Sequence, residues 1–311
     1  MSWWKKSSAT PLAGSALFRG RWVARPEDFP HLERRGVRLG AVERFPDGGG
    51  WKANLEHPSW GRATLRVAPD LPLPPANLVD WDPRLLDEEK AALKSCRYAI
   101  GLLAEARTGN VHADRKDLLR FLDATIGDEG VAAVDHTAQA FWSRGGLEEE
   151  LSHDAELDID GILTLHLLYD PADPPHPSGE RRSYWVHSHG LSEIGFSDFD
   201  VLDPGVDVTG RGHEAVRALA FAIVEGSLVP DGAPFQLASS AQVRAVSARA
   251  FLAAAPPDAY PKYRADLGDE HVEGHVVVCE PGSRAFCLDS SVRVAGQNRH
   301  GSCASPSLTG G

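Results

Sequence analysis

The stretch Arg182-Ser-Tyr-Trp-Val-His-Ser-His-Gly-Leu-Ser-Glu-Ile-Gly-Phe-Ser-Asp-Phe-Asp-Val-Leu202 sets the fold class. Ser183 to His189 alternates as a half-buried strand does, Gly190 to Gly195 is glycine-bounded and turns, and Phe199 to Leu202 extends again. Immediately upstream, Ile162-Leu-Thr-Leu-His-Leu-Leu-Tyr169 is the strongest strand pattern in the chain and stops at Asp170-Pro171. The connection, residues 171 to 180, holds four prolines and suits no regular element. Two such strands can form one antiparallel hairpin with a long loop.

Outward from this core, Gly130 to Asp135 reads as another buried strand. Helical spacing covers Leu86 to Arg107, Asp114 to Leu122 and Gly212 to Gly226. The expectation is an α+β protein. Its antiparallel or mixed sheet includes the strands at 131–135, 162–169, 183–189 and 199–202, and helices cover one face. A smaller β-rich portion precedes it, with strands at Arg21 to Ala24, Val37 to Phe45, Trp51 to Glu56 and Thr64 to Val67. Pro69 to Pro75, with four prolines in seven residues, divides the two portions. The boundaries drawn are a loose leader over 1–18, the β-rich portion over 19–80, the main domain over 81–290 and a flexible tail over 291–311. Later strands are expected at Ala241 to Val246 and His275 to Cys279, with Phe286 to Leu288 as a hairpin partner.

The chain has 311 residues, 32 Lys and Arg against 44 Asp and Glu, and a formal net charge of -12. That balance repels nucleic acid and anionic lipid and favours a basic protein partner. No apolar run approaches the roughly 20 residues a bilayer span needs, and the N-terminus lacks the apolar segment of a secretory signal. Cys96, Cys279, Cys287 and Cys303 show no paired spacing, so they read as free thiols in a reducing cytoplasm. No nucleophile elbow or phosphate loop is present.

Chemistry concentrates in the opening stretch. Side chains two apart on a strand share a face, so His187 and His189 present two imidazoles together. His166 on the preceding strand could complete a three-histidine site for zinc or another divalent transition metal, with Glu193 or Asp198 as further ligand or proton carrier. The alternative reading is structural: one ring stacks on Trp185 or Phe196 and another caps the turn at Gly190. In either case Trp185, His187, His189, Glu193 and Phe196 outline a pocket. Two more clusters, Ser152-His153-Asp154 and the acidic run from Asp266 to His275, read as solvated surface, because adjacent residues do not assemble a triad.

The segments 162–171, Tyr184-Trp-Val-His-Ser-His-Gly-Leu191 and Phe199-Asp-Val-Leu-Asp203 resemble an uncharacterised family of bacterial domains marked by a Trp-x-His-Ser/Thr-x-Gly-Leu turn. More distantly they are similar to suppressor-of-fused-type domains, which recur in bacterial toxin-immunity proteins. The resemblance spans about residues 85–280 and implies no reaction. The expected function is a cytoplasmic, immunity-like binding module that works through an acidic surface without a cofactor. The competing expectation is a metal-dependent hydrolase or oxygenase built on His166, His187 and His189.

Overall fold

The computed structural model describes residues 12–20, 25–82, 84–108, 110–153, 157, 159–169, 183–191, 196–202, 209–225, 234–236, 242–258, 260–265 and 275–279. The chain divides into two compact units, one built from Ala9–Thr164 and the other chiefly from Leu165 onward.

The first unit carries β1 (Leu12–Phe18), α1 (Pro30–Arg34), β2 (Arg38–Arg44), β3 (Trp51–His57), β4 (Gly61–Val67), α2 (Ala76–Trp81), α3 (Asp87–Lys94), β5 (Tyr98–Ala104), α4 (Val111–Ile126), β6 (Gly130–Asp135), β7 (Ala140–Ser143), α5 (Arg144–Ser152) and α6 (Ile159–Ile162). Its strands form one seven-stranded sheet in the order β2-β3-β4-β5-β1-β6-β7. All of its described pairings are antiparallel. The leader expected over 1–18 is therefore corrected: Leu12–Phe18 is a central strand, hydrogen-bonded to β5 on one side and β6 on the other. Its small residues serve close packing, since a Cβ on Gly14 would lie 2.9 Å from Leu122 Cδ1 of α4.

The helix expected over 86–107 ends at Lys94, and Tyr98–Ala104 is a strand instead. Glu89 secures the start of α3 by accepting the Leu86 N–H at 2.8 Å. Tyr98–Ala104 is apolar at every position, exposed Leu103 included, so it lacks the polar–apolar alternation of a strand and looks like the continuation of an apolar helix. The strand over 131–135 exists but belongs to this first sheet and not to that of residues 164–202. The division expected near 80 falls inside the unit, because β4 before it pairs with β5 after it. Asn110 caps α4 by accepting the Ala113 N–H at 3.1 Å. Arg115 on α4 and Asp135 on β6 form a fully buried ion pair.

The second unit contains β8 (Thr164–Tyr169), β9 (Ser183–His189), β10 (Asp198–Leu202), α7 (Thr209–Val224), β11 (Pro234–Gln236), β12 (Gln242–Ser247), α8 (Ala248–Ala254) and β13 (His275–Cys279). The sheet order is β11-β12-β13-β10-β9-β8. β10 runs parallel to β13 and antiparallel to β9, so this sheet is mixed. The α+β class holds, with a mixed sheet in one unit and an antiparallel one in the other.

Alternation along β9 sends Trp185 to one face, where it joins Leu202, Ala248, Phe251, Tyr263 and Val277 in one core cluster. It sends Val186 to the other, toward Gly212 of α7, where a Cβ would lie 3.6 Å from Val186 Cγ2. Helical cover thus reaches both faces of this sheet. Among the described residues, no helix is long and apolar enough to cross a membrane. The strand expected at 21–24, the hairpin partner at 286–288 and the tail lie outside the described residues.

Candidate functional site

His166 lies on β8, the outermost strand of the mixed sheet, and its neighbour β9 carries His187 and His189. The three rings come together as the sequence suggests. Their centres are separated by 5.1 Å (His166 and His187), 5.6 Å (His166 and His189) and 5.5 Å (His187 and His189). The cluster is half-buried, with 12% of the His187 side chain exposed. Trp185 closes its inner end, with its ring tilted against His187 at 4.4 Å. A structural stack and a ring cluster therefore coexist on one face.

Behind His187 stands Asp200, directly paired with it across β9 and β10 and fully buried. Burying a carboxylate is costly unless donors surround it. Here the Trp185 Nε1–H donates to Oδ1 at 2.7 Å and the Tyr263 hydroxyl donates to Oδ2 at 2.7 Å. His187 Nδ1 lies 4.0 Å from Oδ1. Burial, with the adjacent Asp200 charge, pushes the Tyr263 phenol well above its ordinary range, so it stays a donor.

Asp198, expected as a ligand or proton carrier, is committed elsewhere. Buried at 1% exposure, it accepts the Ser188 hydroxyl at 2.9 Å and the Leu191 N–H at 3.2 Å. Ser188 Oγ in turn accepts the Phe199 N–H at 2.8 Å. This knot fastens the turn between β9 and β10, where Gly190 adopts φ 118, a conformation that favours glycine. Phe196 closes the same turn by donating its N–H to the Leu191 carbonyl at 2.9 Å. Glu193 lies outside the described residues.

Asp200 and Tyr263 were not expected here. Asp200 left a trace in the sequence, a lone acid between Phe199 and Val201 in an apolar strand, which requires buried partners. Tyr263 left none, being 63 residues away in the chain.

Of the other clusters, Ser152 and His153 fall within the described residues. The Ser152 hydroxyl donates to the Glu149 carbonyl at 2.7 Å, as a helix-end serine does, and the His153 carbonyl accepts from Lys116. Asp154 and the acids at 266–273 lie outside the described residues. Cys96 is free and buried, and burial pushes its thiol up to about 11, as expected of an inert apolar cysteine.

As the side chains stand, no group of three or more His, Cys, Asp or Glu among the described residues is disposed to hold a metal ion. No protein-family model, curated protein or solved structure matches the chain.

Proposed function

We propose that this protein is a cytoplasmic binding module that engages a basic partner protein and carries out no reaction of its own. The observation that carries this reading is the commitment of Asp198 and Asp200. A hydrolase or oxygenase on this face needs a proton carrier that changes protonation during turnover. Each of these buried acids instead accepts hydrogen bonds from at least two neighbouring donors. The net charge of -12 supports a cationic partner, both by attraction and by steering its approach. The more distant similarity of residues 162–203 to suppressor-of-fused-type domains, which recur in bacterial toxin-immunity proteins, points the same way.

The test pairs a binding arm with a turnover arm. Fluorescence anisotropy with an oligo-arginine peptide should give saturable binding that weakens as salt rises, while an acidic peptide of equal length should not bind. Full-length protein, with and without added zinc, manganese or ferrous iron, should leave ester, amide and phosphoester substrates unchanged. Turnover that disappears in His187→Gln would overturn the non-catalytic reading, and equal binding of both peptides would overturn the basic partner.

A further inference from the structure

We propose that His166, His187 and His189 together ligate one divalent transition-metal ion, zinc or a first-row neighbour, and that Asp200 orients the His187 ring as a positioning residue. The inference concerns a second ligand and goes beyond the partner-binding reading.

The carrying observation is the ring triangle. A point equidistant from three centres separated by 5.1, 5.6 and 5.5 Å lies about 3.1 Å from each, and an ion bonded to a ring nitrogen at 2.0–2.1 Å sits roughly 3.2 Å from that ring's centre. The backbone therefore already holds the rings at the separation that one shared ion sets. What the side chains lack as they stand is direction. Rotation about the Cβ–Cγ bond spins an imidazole around an axis through its own centre, so it swings Nδ1 widely, re-aims Nε2 over a narrow cone and leaves the separations unchanged. That torsion is broad and soft for histidine.

A second observation is independent of the triangle. Metal-bound histidines characteristically donate their other ring N–H to a carboxylate, which fixes tautomer and orientation. Asp200 occupies that position behind His187, with Oδ1 4.0 Å from Nδ1, and is itself immobilised by Trp185 and Tyr263. A ring rotation that closes this 4.0 Å gap to a hydrogen bond would leave Nε2 of His187 as the ligating atom. Imidazole donors suit zinc, copper, iron and nickel better than magnesium or calcium. Three protein ligands leave a coordination position for water or an anion. The position of β8 as the outermost strand puts the site at the sheet's margin.

Full-length protein stripped with chelator is titrated with cobalt chloride and with zinc chloride, by calorimetry and by the visible absorption of bound cobalt. One ion per chain is expected, with cobalt displaced by zinc. His166→Gln and His187→Gln should each weaken binding at least about tenfold, and Asp200→Asn roughly 10- to 100-fold. Nitrogen-15 imidazole spectra of the unsubstituted protein keep the test open should a variant fail to fold: three histidines should shift together at one equivalent of zinc. In the metal-free protein Asp200→Asn should also change the His187 tautomer, which a merely structural carboxylate would not do. No binding at one equivalent overturns the site, as does undiminished binding by a folded triple glutamine variant. An Asp200→Asn variant with unchanged affinity and tautomer overturns the positioning role alone. A bound metal without turnover leaves the partner-binding reading intact, whereas metal-dependent turnover would remove that reading and keep the site.

Discussion

At the scale of single residues, what a side chain does here is decided by how many donors and how much water surround it. Asp198 and Asp200 are two apart on one strand, yet one ties a turn and the other backs a histidine. The same logic gives the protein a defined alkaline limit. Burial pushes the Tyr98 phenol up to about 12 and the Cys96 thiol up to about 11, and it raises the Tyr263 phenol well above its ordinary range. In the unfolded chain these groups release their protons near 10 and 9. Between the unfolded and folded values the folded chain holds more protons, so stability falls as pH rises. The contribution is intact below about pH 9 and is lost across roughly pH 9 to 12, with an order of 2 kcal/mol from Tyr98. Urea midpoints should be level between pH 7 and 8.5 and fall steadily above pH 9. Tyr98→Phe should shrink the part of the fall above pH 10, and an equal fall in that variant would contradict the assignment. The residues of the candidate site were legible in this sense: His166, His187, His189 and Trp185 declare themselves by type and alternation. The donors that hold Asp200 were not, because the Tyr263 contact is made by tertiary packing alone.

At the scale of elements, strands marked by aromatics, alternation or a β-branched run are legible in the sequence, and strands of small or uniformly apolar residues are not. β9 and β13 match their expected bounds, and β3 differs from expectation by one residue at its end. β5 was mistaken for helix because Tyr98 to Ala104 is apolar without a period. β1 was mistaken for a leader because Leu-Ala-Gly-Ser-Ala-Leu-Phe is small and bland. Those small residues are what a strand crossed closely by a helix requires. Gly14 pairs with Leu102 and Asp135 at mid-sheet, and a Cβ there would meet Leu122 Cδ1 at 2.9 Å and the Val134 carbonyl at 3.0 Å. A leucine methyl can shift, but a backbone carbonyl inside a sheet cannot shift cheaply. Gly14→Ala should therefore destabilise the first unit by roughly 1–3 kcal/mol through overpacking. Gly20→Ala, where an added Cβ meets nothing within 4 Å, is the matched control and should be near neutral. Thermal midpoints of the two variants, measured side by side, decide the point.

At the scale of the whole molecule, local patterns identified most strands but not which strands share a sheet. Sheet membership is set by pairings distant in sequence. β1 joins β5 and β6, whose residues lie some 80 to 120 positions later, so the proline-rich run at 69–75 is a bend inside one unit and not a seam between two. The helices α2 and α3 that follow it pack back on the sheet, where Val79, Leu85 and Leu93 join Leu17, Ala99 and Ala132 in one core. This assigns the limits of an independently folding piece. A fragment of residues 9–164 retains all seven strands, the α4 face and the buried Arg115–Asp135 pair. It should fold alone and unfold in one cooperative thermal transition, read by circular dichroism. A fragment of 19–164 lacks the central strand, leaving β5 and β6 without their shared partner and exposing backbone donors and acceptors along two strands. A fragment of 19–80 retains α1, β2, β3 and β4 but loses β5 and α4. Both should lack a cooperative transition. A sharp transition in 19–164 would mean that β1 is dispensable and that the sheet forms without this interior strand.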